Sequence, residues 1–292
     1  MKEKFSIGDI LIYLFLGIFC LSIVVSFLHL FSTSLSPSHI ATKGGLHLYP
    51  KEITIDNYKK VVESKFIWIG YANTIGRTIV GTITSLFFTA MSAYALSKKF
   101  FPHRSFWTLL IVFTMFFSGG MIPTYLVIRD LHLLDTYAVM IIPGLVSAYN
   151  MTIMRNYFSS MPEEIEESCM IDGAGRFRTF FSIVLPLAKP ILATVALWLA
   201  VGHWNAWFDV LIYVTDENMF TLQIVLRRII LTGTQQMMDT GNFDPSVFDN
   251  IKSSPEGLKA AAIFIATLPI LCVYPFIQRY FVKGIMIGSL KG

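Results

Sequence analysis

Lys, Arg, Asp and Glu are absent from six long stretches of this 292-residue chain: 10–42, 78–97, 105–128, 136–154, 190–208 and 260–278. These stretches are 33, 20, 24, 19, 19 and 19 residues long. A helix needs about 20 mostly apolar residues to cross a hydrocarbon layer about 30 Å thick. A single charge at its centre costs roughly 2.5–3.5 kcal/mol on insertion scales, so charge-free stretches of this length are informative. They predict an all-α polytopic membrane protein with six spans, at 10–31, 71–97, 106–128, 136–154, 182–204 and 260–282. The stretches are continuously apolar rather than alternating, which excludes a β-barrel. Of all residues 54% are hydrophobic and 14% charged, against roughly 25% charged in soluble domains. That balance also excludes a soluble globule, a disordered chain and a disulfide scaffold.

The location of the charges predicts the topology. With residues 1–9 in the cytoplasm, the inner segments hold Lys2, Lys4, Lys98, Lys99, Arg104, Arg155, Arg176, Arg178, Lys189, Arg279, Lys283 and Lys291. The short outer loop after the third span holds only Arg129. Lys/Arg bias over short loops sets orientation, so residues 1–9 and 283–292 are both expected on the cytoplasmic side of the membrane. Residues 32–70 and 205–259 form the long outer segments. The net charge of +4 reflects this asymmetry and is no nucleic-acid footprint. The apolar core Ile10 to Phe31 exceeds the roughly 7–15 residues of a signal-peptide core, and no small-x-small site follows it. It is expected to be a retained helix. Cys20, Cys169 and Cys272 are scattered, and read as small buried hydrophobes without a disulfide or metal role.

Helix breakers sit in or beside several spans. Gly119-Gly120 and Pro123 predict a loosened or kinked outer end of the third span, Pro143-Gly144 lies in the fourth, and Pro269 and Pro275 in the sixth. Such residues are ordinary in membrane helices where neighbours satisfy the freed backbone. They also suit bends that shape a translocation path. In the second outer segment, Leu222, Val225, Leu226, Ile229 and Ile230 recur at helical spacing beside Arg227-Arg228, which predicts a short amphipathic helix. Asp239-Thr240-Gly241 lacks the alternating oxygen ligands of a calcium loop.

The stretch Ser159 to Gly175 lies between the fourth and fifth spans, on the predicted inner side. Ser160 followed by Glu163 reads as a capping box, and Pro162 suits a first helical turn. Glu163, Glu164, Glu166 and Glu167 crowd the first turns, where the helix dipole favours negative charge. Gly173 and Gly175 are read as terminators with positive φ. The prediction for 160–175 is a polar helix of about ten residues, roughly 15 Å long, that stays out of the membrane.

Glu167-Ser168-Cys169, three residues, Gly173, nine residues and Ile183-Val184-Leu185-Pro186 resemble the EAA motif of ABC-importer permeases, with Ser168 and Cys169 in place of two alanines. Tyr94 to Lys98, Gly120 to Leu126 and Gly202 to Trp207 extend the resemblance over nearly the whole chain. They are similar to maltose-type carbohydrate-uptake permeases and, within these, to the LplC/YtcP-like branch of Gram-positive bacteria. The resemblance implies a type I importer permease that pairs with a second, homologous permease. It implies two cytoplasmic ATPases, carrying ATP and Mg, docked on the coupling helix, and an extracellular solute-binding lipoprotein that delivers an oligosaccharide. The implied coupling residues are Glu163, Glu166, Glu167, Ser168, Asp172, Gly173 and Ala174. Gly173 is expected to let the helix approach its socket without a side chain in the way. In the family the outer loop between the fifth and sixth spans reaches into the binding protein, which makes 233–257 the candidate here.

The chain itself has no G-x-x-x-x-G-K-[ST], G-x-S-x-G or H-E-x-x-H, so it offers no phosphate cradle, nucleophile elbow or zinc helix. No catalytic residue, bound cofactor or metal is expected. Sugar faces pack on aromatic rings and their hydroxyls need amide partners. Phe116, Phe117, Tyr125, Tyr149, Asn150, Trp204, Asn205 and Trp207 are therefore the substrate-path candidates. Interfacial anchoring and lipid-facing packing are the alternatives for the aromatic residues. Arg129, Arg227 and Arg228 on the outer side point to uronates, though nearby Asp residues balance them. The competing functions are an ABC permease for peptides or amino acids, a secondary transporter and a membrane enzyme. Secondary transporters usually place ionisable groups at mid-bilayer, which the six stretches lack.

Overall fold

The computed structural model describes residues 7–42, 45–235 and 254–289, and among them all regular structure is helical. The chain divides into two compact units. One comprises 1–68 and 225–269, the other 69–224 and 270–292.

In the first unit, α1 (Ile7–Ser34) carries the first apolar stretch. Its residues 8–24 are exposed all round, as befits a helix apolar on every face. Short α2 (Ser38–Ala41) and α3 (Asp56–Glu63) follow. The buried Asn57 of α3 donates its amide to the carbonyls of Ser34 and Ser36, at 3.0 and 3.1 Å. Those carbonyls lie at and beyond the end of α1, where intrahelical donors run out. A Cβ on Gly257 would come within 2.7 Å of the same amide, so a side chain here would displace the Asn57 amide from these carbonyls. Phe264 packs edge-on against Phe27 and Phe31.

The long helix α4 (Lys65–Ser97) opens the second unit. It is followed by α5 (Arg104–Phe116) and α6 (Met121–Asp130), which meet at 117°. The break falls at Gly119-Gly120, with Gly120 at φ 88°. The fourth apolar stretch is not one regular helix: two 3-10 turns, Tyr137–Met140 and Ile142–Gly144, precede α7 (Ala148–Ser159) at 50°. Pro143 has no N–H to continue an α-helical ladder. Then come α8 (Glu164–Ile171), α9 (Arg176–Thr179), a π-helical turn over Phe180–Val184, α10 (Leu185–Leu187) and α11 (Lys189–Asn205). The fifth span predicted over 182–204 thus bends by 82° where α10 meets α11, next to Pro186 and Pro190. Helices α12 (Phe208–Tyr213) and α13 (Leu222–Gln235) follow, the latter where the amphipathic spacing placed it. Last is α14 (Pro255–Ser289), which runs unbroken through Pro269 and Pro275.

Among the described residues three helices are long and apolar enough to cross a membrane, and the number rises to as many as six if each bent pair is one span. The core of the second unit is apolar. Ala90, Ala93 and Leu96 of α4 pack with Met151, Met154 and Phe158 of α7, Phe180 and Val184 of the π turn, and Val195 and Leu199 of α11. Small residues on α4 let these helices approach closely, as membrane interiors favour.

Candidate functional site

Helix α8 carries Glu167-Ser168-Cys169 of the EAA-like motif, Gly173 lies just past its end, and Ile183 to Pro186 fall in the π turn and α10. Glu164, Glu167, Ser168 and Ile171 form an exposed face, and Ile171 is 86% exposed. Glu163, Asp172 and Gly173 are exposed as well, and Ala174 is half-buried. The helix is shorter than the predicted 160–175, and its start is built differently. Ser160 is the C-cap of α7, its hydroxyl donating to the Tyr157 carbonyl at 2.8 Å. It therefore cannot cap α8, and the capping box does not form. Glu163 takes the N-cap position without a side-chain cap. Its carboxylate pairs instead with Lys99 at 2.7 Å. The Lys99 ammonium, by hydrogen bond and charge, holds the Glu163 carboxyl below its ordinary range.

The end of α8 follows the prediction at one glycine and not at the other. Gly173 has φ 79°. Its N–H donates to the Met170 carbonyl at 3.0 Å, and that of Ala174 to the Cys169 carbonyl at 2.9 Å. This pair of bonds is a Schellman motif, which satisfies the last carbonyls of the helix. Within the chain a Cβ on Gly173 would meet open space, so the internal demand there is backbone conformation. Gly175, at φ −68° and ψ 159°, is extended and serves as the N-cap of α9.

Glu166 departs from the other predicted coupling residues. It is buried, pairs with Lys98, and accepts the Tyr94 hydroxyl at 3.1 Å. The Lys98 ammonium lies 4.6 Å from the centroid of the Tyr94 ring. The sequence marks Lys98 as an inner-edge charge and as part of the Tyr94 to Lys98 resemblance, and gives it no partner. Its tie to α8 was invisible because 68 residues separate the partners.

The predicted path residues are spread over several elements. Phe116 and Phe117 are exposed at the α5–α6 break, with Phe117 stacked on Phe113 at 4.3 Å. Tyr125 stacks on Tyr213 at 6.1 Å. Tyr149 is exposed and tilts against Trp198, whereas Asn150 beside it is buried. Trp204 is half-buried, and the exposed Asn205 donates its amide to Val201 of its own helix at 2.9 Å. Trp207 meets Phe208 edge-on. Each ring or amide contact named here is with a residue outside the predicted set. The 236–253 part of the candidate loop, Asp239-Thr240-Gly241 included, lies outside the described residues, as do 1–6 and 290–292.

An ionic node inside α4 had no counterpart in the prediction. Arg77 is buried, pairs with Asp209 of α12, and donates to the Met140 carbonyl at 3.0 Å. Four residues on, a Cβ on Gly81 would lie 2.7 Å from the His203 imidazole. Arg77 is the lone charge in the predicted second span, which was the available signal. Among the described residues no group of three or more His, Cys, Asp or Glu can hold a metal.

Residues 67–287 match the family described as binding-protein-dependent transport system inner membrane component. The chain belongs to this family. Protein LplC of Bacillus subtilis (strain 168) is 40% identical over 284 residues, 97% of this chain and 95% of that protein. The polygalacturonan/rhamnogalacturonan transport system permease protein YtcP of the same organism is 37% identical over 297 residues and 100% of both chains. A solved chain from a bacterial ABC transporter involved in the import of the acidic polysaccharide alginate is 34% identical. It aligns with a TM-score of 0.87 over 96% of this chain and 100% of its own. The protein is thus a membrane permease subunit of an ABC importer with the type I permease fold, and not an enzyme.

Proposed function

We propose that this chain forms half of the translocation path of an ATP-driven importer for oligosaccharides. An extracellular binding lipoprotein delivers the sugar, and a second, homologous permease completes the path. The chain crosses the bacterial plasma membrane six times with both termini in the cytoplasm. Helix α8 is its coupling helix. Two ATPase subunits, which carry ATP and Mg, close on nucleotide and tilt this helix in each permease. Inward- and outward-facing packings then exchange as nucleotide biases one over the other.

The observation that carries this reading is the exposed face Glu164, Glu167, Ser168 and Ile171 on a helix ended by Gly173. The adjacent exposed side chains of Met170 and Ile171, set beside three polar residues, suit a protein socket. The oligosaccharide class is supported by the names of YtcP and of the alginate importer. Both of those substrates carry uronates, which favours acidic oligosaccharides over neutral ones. The test is uptake into proteoliposomes holding the complete importer, with labelled oligogalacturonate and neutral malto-oligosaccharide compared. ATP-dependent uptake of the acidic probe is expected. Uptake of labelled peptides or amino acids, with neither sugar taken up, would replace the proposal.

A further inference from the structure

We infer that Glu166 is a positioning residue that transmits motion from α8 to α4, and that it does not belong to the surface an ATPase grips. The inference rests on α8 being the docked helix, as proposed above.

Three observations lead to it. First, Glu166 is buried while Glu164, Glu167 and Ser168 around it are exposed, so its carboxylate faces into the chain. Second, that carboxylate is held by two groups of α4 and its end: one oxygen takes the Lys98 ammonium and the other accepts the Tyr94 hydroxyl. Third, Tyr94 reaches further. Its ring packs against Phe158 of α7 at 5.9 Å and Phe180 of the π turn at 4.8 Å. A displacement of Glu166 therefore bears on α4, α7 and the entry to α11 through one residue.

Without this clasp the links are weak. Covalently, α8 is followed by the glycines Gly173 and Gly175, whose backbone tolerates a wide range of φ and so absorbs rotation. The pair Lys99–Glu163 is exposed at 76% and 61%, so water and salt weaken it. The Arg176 guanidinium lies 3.9 Å from the Phe100 ring centroid and adds a contact at the far end of the segment. Lys98 and Glu166 are 14% and 10% exposed, and separating a buried pair leaves two poorly solvated charges. It is the stiffest of these ties.

The experiment uses the complete importer, with Cys20, Cys169 and Cys272 replaced by serine. Ile171→Cys is first crosslinked to the ATPase. In a separate, uncrosslinked preparation, spin labels on Ile171→Cys and Phe88→Cys report the α8–α4 separation with ADP and with ATP, beside oligogalacturonate taken up per ATP hydrolysed. With Glu166 and Lys98 intact, the separation is the same in both nucleotides. In Glu166→Gln and in Lys98→Met it changes on ATP, and uptake per ATP falls about fivefold or more. The exchanged pair Lys98→Glu with Glu166→Lys restores both readings, including where a single variant inserts poorly. Unchanged separation and uptake per ATP in Glu166→Gln, with the crosslink present, overturn the clasp alone. Absence of the crosslink overturns the docking reading and removes the clasp's input with it.

Discussion

The Arg77 guanidinium, inside α4, is paired with the carboxylate of Asp209, 132 residues further along the chain. The two sides of the pair are unequally solvated, with side chains 4% and 27% exposed. Asp209→Asn removes the counter-charge of a guanidinium with almost no access to water, and breaking a buried pair in this way costs about 3–5 kcal/mol. Arg77→Met leaves a carboxylate that water reaches in part, at roughly 1–3 kcal/mol. Thermal unfolding in detergent should therefore show the larger loss for Asp209→Asn. An equal or reversed order would remove the argument from solvation.

Gly81 and His203 test the approach of α4 to α11. A methyl group on Gly81 would sit 2.7 Å from the imidazole, closer than side-chain carbons pack. Gly81→Ala should cost about 1–3 kcal/mol as an overpacked site. In the double variant with His203→Ala the two losses should fall short of their sum. Strict additivity in a double-mutant cycle would place the clash elsewhere.

Gly173 separates backbone demand from docking demand. Ala in its left-handed conformation costs roughly 1–2 kcal/mol, while Asn tolerates that region better. Gly173→Asn should melt closer to the parent protein than Gly173→Ala. Both should hydrolyse ATP with poor uptake, because any side chain keeps the helix from its socket. Full uptake by the Asn variant would show that conformation alone is required.

Asp135 supplies a pH test outside the spans. Its carboxylate accepts the Thr215 N–H, the Thr215 hydroxyl at 2.8 Å and the Asp216 N–H at 3.2 Å. These bonds, the Thr215 N–H foremost, lower its pKa. A depressed carboxyl contributes stability above its ordinary value and loses it as pH falls through the lower folded value. Protection of the Thr215 and Asp216 amides, taken relative to their intrinsic exchange rates at each pH, should thus persist from neutral pH down to about 4 and be lost only below it. In Asp135→Asn that acid transition should be missing.

The helical class was legible because hydrocarbon imposes a strong rule on sequence: length and absence of charge. Leu222 to Ile230 was legible as a helix by its spacing, and Gly173 as a terminator because few residues adopt positive φ. Ser160 misled, since a serine that ends one helix and one that opens the next look alike until the turn between them is seen. Gly175 misled for a related reason: glycine permits positive φ without requiring it.

Local chemistry alone determined that this chain is a membrane helix protein with a short polar helix at an EAA-like motif. Tertiary structure alone decided which of that helix's glutamates face outward and which is held from within, and that Arg77 finds Asp209. Periodicity and spacing act over a few turns of chain. Pairings across 68 and 132 residues exist only once packing has brought α4 against α8 and α12.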